Sequence, residues 1–160
     1  MKARFTFGLA AVLSISGLVG AVVADSHVDP AIAGAIKARQ AQMTLYAFNL
    51  GTLGAMARGN APYDAEAATA AATNLQALTG LNASALWPAG SDSESVDGTR
   101  ALPALWQNFP DVIEKAQATK AAADAMVTAA GTDLAALQGA MGALGGACGD
   151  CHKAYRLPDE

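Results

Sequence analysis

Cys148 and Cys151 flank Gly149-Asp150 and are followed at once by His152. Two thiols three positions apart lie one helical turn from each other on one face, and a side chain four positions from the first shares that face. Two vinyl groups on adjacent pyrroles of a porphyrin can be reached by thiols so placed, while the imidazole rises beneath the metal. C-x-x-C-H is the attachment signature of a c-type haem. The run therefore predicts one covalently attached haem c per chain, with thioethers from Cys148 and Cys151 and with His152 as an iron ligand. A redox dithiol, half of a zinc site and a plain disulfide compete for the same residues. Zinc needs further ligands, yet the chain's other histidine is His27, near the N-terminus, where a solvated role is expected. A thioredoxin-like dithiol expects a βαβ context, and no alternating β-branched run supplies one.

Helices are needed to position this motif, and the sequence is punctuated for them. Asp29-Pro30 reads as an N-cap with proline at the first helical position. From there Ile32, Ile36, Met43, Tyr46, Leu50, Leu53 and Ala57 recur at threes and fours, up to about Arg58 before Gly59-Asn60. Asp64, with Glu66 behind it, opens a second helix carrying Leu75 and Leu78 that stops at Gly80. Residues 81–102 are a long connection rich in Ser, Asp, Gly and Pro, in which Trp87-Pro88 is expected to tuck an aromatic ring into the end of the fold. A third helix starts after Leu102-Pro103 and reaches about Ala130, with a kink or restart at Pro110, which cannot sit undisturbed inside a helix. Thr132-Asp133 caps a fourth, running through Leu134, Leu137, Met141 and Leu144 to Arg156. No repeat of 20 to 50 residues is present. Four helices with mostly short joins predict an all-α, antiparallel up-down-up-down four-helix bundle enclosing the haem.

Lys2 and Arg4 precede an uncharged apolar run from Phe5 to Val23, and Val22-Val23-Ala24 offers small residues at a cleavage site. The expectation is a cleaved signal peptide over residues 1–24 and a bundle domain over 25–160. The competing use of the run is an uncleaved anchor. Removal of the signal lowers Lys+Arg from 10 to 8 against 14 Asp+Glu, a net charge of −6. That excludes a nucleic-acid partner, whose phosphates demand neutralising cations. It suits a basic or neutral redox partner protein. The expected location is the periplasm, with no membrane insertion once the signal is gone.

Beyond these local features the chain resembles the class II cytochromes c, the family of cytochrome c′ and its low-spin relatives. The resemblance rests on Arg39-Gln40-x-x-Met43, on Met56-Ala57-Arg58-Gly59 with Ala61-Pro62-Tyr63-Asp64, on Leu105-Trp106, and on Cys148 to His152 followed by Lys153-Ala154-Tyr155-Arg156. It implies a left-twisted bundle with haem among the helices near one end. It also raises a homodimer through the first two helices.

Where a sixth iron ligand would come from narrows by position. Met141 lies eleven residues before His152 on the same helix, about three turns away, and so on the histidine's side of the haem. Met56 and Met126 fall near the helix ends that face away from the haem in an up-down-up-down bundle. Met43 remains, where the family places the residue facing the distal side. Two uses stay open for it. As a ligand it makes a His/Met low-spin haem and a one-electron carrier, since a thioether raises the reduction potential. As packing it leaves five-coordinate, high-spin iron of the cytochrome c′ kind, able to bind nitric oxide or carbon monoxide. No catalytic residues accompany the motif, so an enzyme is not expected. Arg39 resembles the family's basic residue near a haem propionate, with a surface charge as the alternative. Arg156 could pair with a propionate or favour the helix C-terminus. Trp87 and Trp106 are expected in the core rather than stacked on haem.

Overall fold

The computed structural model describes residues 28–158; the signal-peptide reading of residues 1–24 and the expectation for His27 lie outside them. Helix α1 spans Pro30–Ala57. Asp29 caps it by accepting the Ala31 N–H at 2.8 Å, and Pro30 sets the first turn. It ends at Arg58, and Gly59 (φ +74°) then takes the left-handed conformation that glycine tolerates. Helix α2, Ala65–Thr79, starts on Asp64, whose Oδ1 accepts from the N–H groups of Glu66 and Ala67 at 2.9 and 3.0 Å.

The third predicted helix is two. A short α3, Ala104–Gln107, is followed by α4, Phe109–Thr132. The break falls at Asn108, just ahead of Pro110, because a proline fits only the first turn of the helix that follows it. Helix α5, Leu134–Tyr155, begins on Asp133 alone, whose carboxylate accepts the Ala136 N–H at 2.8 Å; Thr132 still belongs to α4.

Four long helices close a ring in which α1 packs on α2 and α5, α2 on α4, and α4 on α5. This is the all-α, up-down-up-down four-helix bundle, and no β-strand occurs among the described residues. One contiguous core runs from the α1–α2 and α4–α5 turns into the middle of the bundle, as far as Leu75 and Leu144. Leu53, Met126, Leu137 and Leu144 are buried there among alanines from α2 and α4. Each such leucine removed from water is worth about 1.5–3 kcal/mol, and the alanines let the helices approach closely. Two polar stitches seal the end at the turns: Tyr63 donates to the Ala130 carbonyl at 2.8 Å and Gln138 to that of Ala57 at 2.8 Å.

Candidate haem site

At the opposite end, Cys148, Cys151 and His152 occupy the last two turns of α5. Both thiols are free and half-buried. Burial pushes both above the ordinary thiol range. For Cys151, Lys115 of α4 pulls the other way, while Cys148 and Asp111 push with the burial. Cys148 also acts on the Tyr46 phenol of α1, which burial first and then that neighbour hold above its usual range. The motif is therefore bracketed by Tyr46 on one side and by Asp111 and Lys115 on the other. Between α4 and α5 a small groove of about 160 Å³ is lined by Asp111, Glu114, Lys115, Ala118, Ala147 and Asp150. Four of its six lining residues are charged.

Met43 stands on α1 one turn before Tyr46, with 39% of its surface exposed. The tyrosine fixes this stretch of helix: Tyr46 Oη donates to the Leu78 carbonyl at 3.0 Å, and Gln42 Nε2 donates to the same carbonyl at 3.0 Å and to Tyr46 Oη at 3.2 Å. The remaining methionines sit elsewhere. Met56 and Met126 are buried in the core at the far end, and Met141 packs half-buried against it.

Arg39 is not on the surface. It is 3% exposed. Nη1 donates to Ser91 Oγ at 2.7 Å and to the Leu86 carbonyl at 3.3 Å, and Nη2 donates to the Ser91 carbonyl and to Thr99 Oγ1 at 2.6 Å. Its guanidinium lies 4.8 Å from the Trp87 ring centre. Trp87 and Trp106 form an edge-to-face pair at 6.3 Å, and Trp106 Nε1 donates to the Trp87 carbonyl at 3.1 Å. An arginine has five N–H donors, so with four committed to the connection, only Nε–H is left for a propionate. Arg156 follows α5 as its cap, its backbone N–H returning to the His152 carbonyl at 3.0 Å.

Several contacts here carry no local signal in the sequence. Tyr155, buried three positions after His152, donates to Asp111 Oδ2 at 2.5 Å. That bond is the main reason its phenol stays above the usual range. Leu102 N–H donates to the Tyr155 carbonyl at 2.9 Å and Leu157 N–H to that of Arg100 at 2.9 Å, pairing residues 100–102 with the end of α5. Tyr46 was legible only as one apolar position among several.

The donor set suits a haem: two unpaired thiols one turn apart, an imidazole beside them, and an apolar stretch of helix near by. A bundle that presents this set near one end defines a class II c-type cytochrome. The cytochrome c′ family model matches residues 34–156. Cytochrome c-554 of Cereibacter sphaeroides is 48% identical over 124 residues, which are 78% of this chain and 81% of that protein. Among solved structures, cytochrome c′ from Rhodobacter sphaeroides superposes with a TM-score of 0.79 at 36% identity, over 82% of this chain and all of the other. A carbon-monoxide-bound variant of cytochrome c′ from Alcaligenes xylosoxidans superposes with a TM-score of 0.69 at 32% identity, over 79% of this chain and 97% of that one. The chain belongs to the cytochrome c′ family, whose members carry one covalently attached haem c per chain.

Proposed function

We propose that the protein is a cytochrome c′-type haem protein whose iron is held by His152 and takes a small neutral gas, nitric oxide or carbon monoxide, at its sixth position. Cys148 and Cys151 carry the thioethers. The observation behind the gas-binding reading is the family match over residues 34–156, and the solved relative with carbon monoxide bound agrees with it. The surroundings suit the role: α1 offers an apolar face at Met43, and polar bonds at Arg39 and at Gln42–Tyr46 hold that stretch of helix on either side of it. Neutral diatomics need such a face and little else.

A second reading has its own support. Met43 brings a thioether to this stretch of α1, and the relative at 48% identity is a cytochrome c-554. With Met43 as sixth ligand the protein would be a one-electron carrier for a redox partner protein. The visible spectrum of the purified ferrous protein, with and without carbon monoxide, decides between them. Broad high-spin bands and rapid carbon monoxide binding support the gas binder. Sharp α and β bands and sluggish binding overturn it in favour of the carrier.

Among the described residues no helix is long and apolar enough to cross a membrane, and the basic-apolar N-terminal segment directs the chain to the periplasm in this reading. The outer face of α1 leaves Leu45 50% and Phe48 71% exposed. Paired apolar side chains on one exposed helix face are the kind of surface that associates, and they support a homodimer through that helix.

A further inference from the structure

Arg39 is the most deeply buried charged side chain among the described residues. A buried cation is costly unless every donor finds a partner, and this one finds its partners in a single segment, the connection from Leu86 to Thr99. The other edge of the same segment is bonded to the end of α5. Ser93 N–H donates to the Ala101 carbonyl at 2.8 Å, folding the connection back on itself. The next residues then make the Leu102–Tyr155 and Leu157–Arg100 bonds of 2.9 Å each. The connection is thus a strap. One edge grips α1 four residues before Met43; the other grips the chain three and five residues after His152.

We propose that Arg39 is a positioning residue. Acting through the strap, it fixes the part of α1 that carries Met43 relative to the part of α5 that carries His152, and so sets how closely the α1 face meets the haem. This rests on His152 being the iron ligand. The planar fork of arginine matters as much as its charge: two nitrogens spanning Ser91 and Thr99 while the flat face lies on Trp87 is a geometry that lysine cannot reproduce.

The test compares haem-loaded wild type with Arg39→Gln, Arg39→Lys and, as a control at an exposed strap contact, Gln40→Ala, which removes the 2.8 Å bond from Gln40 to the Gly98 carbonyl. Two quantities are read: hydrogen exchange at the Leu102 and Leu157 amides, and the rate of carbon monoxide association with the ferrous protein. Arg39→Gln should speed exchange at both amides at least tenfold and change the association rate by a similar factor. Arg39→Lys should fall between it and wild type, and it carries the comparison if the glutamine variant does not fold. Gln40→Ala should leave both readouts at the wild-type level. Faster exchange confined to residues 91–99 would overturn the proposal, as would an association rate unmoved in both Arg39 variants, because Arg39 would then serve only local packing. Failure of the underlying haem reading would show separately, as a wild-type protein with no Soret band.

Discussion

At the end of the bundle where α1 turns into α2, Leu53, Met126 and Leu137 are wholly buried; at the end where α5 carries its two thiols, Met43, Ile113 and Phe109 keep 39%, 47% and 38% of their surface exposed. The first end is closed by its own side chains, mostly leucine and alanine, with a pair of hydrogen bonds across the turns. The second is held by polar groups reaching between elements far apart in sequence: Arg39 to the strap, Tyr46 to Leu78, Tyr155 to Asp111, and the strap to the end of α5. Hydrophobic burial is non-directional and tolerates adjustment, whereas hydrogen bonds fix distances. The end that carries the thiols uses the second device, and the closed end uses the first.

The sharpest break of this contrast comes from the thiols. In the double variant Cys148→Ala/Cys151→Ala, haem that resists extraction by acidified acetone should disappear entirely, while far-UV helicity and the closed end persist. Retained extraction-resistant haem would sink the assignment of both cysteines. Next in size is Leu137→Ala at the closed end. It deletes a side chain with no exposure, and such deletions cost about 2–5 kcal/mol. Urea unfolding should show that loss with an unchanged haem spectrum, and a spectral change instead would mean that the ends are not separable. Met43→Leu should do the reverse. A volume-conserving swap costs under ~1.5 kcal/mol, so stability should barely move. An unchanged optical spectrum agrees with the gas-binding reading, while a switch from low-spin to high-spin bands would identify Met43 as a ligand.

A smaller effect concerns pH. Asp92 lies in the strap, 9% exposed. Burial alone would raise its pKa, but hydrogen bonds from Ser95 Oγ and from the Glu94 and Ser95 N–H groups outweigh it and hold the carboxyl below its ordinary 3.8. A lowered folded-state value contributes stability that is present above the ordinary value and lost as pH falls through the lowered one. Tryptophan fluorescence from Trp87 and Trp106 should therefore report strap loosening only below pH 3.8. Asp92→Asn should abolish that step, and a step that survives in this variant belongs to another group. The least effect on the site itself is expected from Phe48→Glu on the outer face of α1. Sedimentation should show a homodimer shifted to monomer while the spectrum stays as it was; a wild type already monomeric at all concentrations would remove that face from consideration.

How much of this was legible in the sequence follows the same division. Asp29-Pro30, Asp64, Gly80 and Asp133 mark helix ends through contacts a few residues long, and the structure begins or ends its helices there to within a residue. Leu53 and Leu137 announce the closed end by helical spacing, and Leu75 and Leu144 the core in the middle of the bundle. The haem motif is equally local. Pro110 signals a disturbance in the third helix, but the break itself falls two residues earlier, at Asn108, because the proline needs room for its own first turn. The polar network was not legible. Arg39 and Ser91 are 52 residues apart and Arg39 and Thr99 are 60 apart, and no periodicity connects an arginine with a serine at that distance. Asn49, buried on α1 and accepting from Asn74 of α2 at 3.0 Å, was hidden in the same way.

The order of these parts along the chain has a consequence in time. Every residue of the packed core, from Leu53 to Leu144, precedes Cys148. Synthesis delivers a chain N-terminus first, so the groups that pack the closed end are all present before the two thiols arrive. The strap's bonds to Tyr155 and Leu157 cannot form until the attachment motif has passed. The residues that pack the closed end are thus all available before the motif, whereas the strap can fasten to α5 only after it.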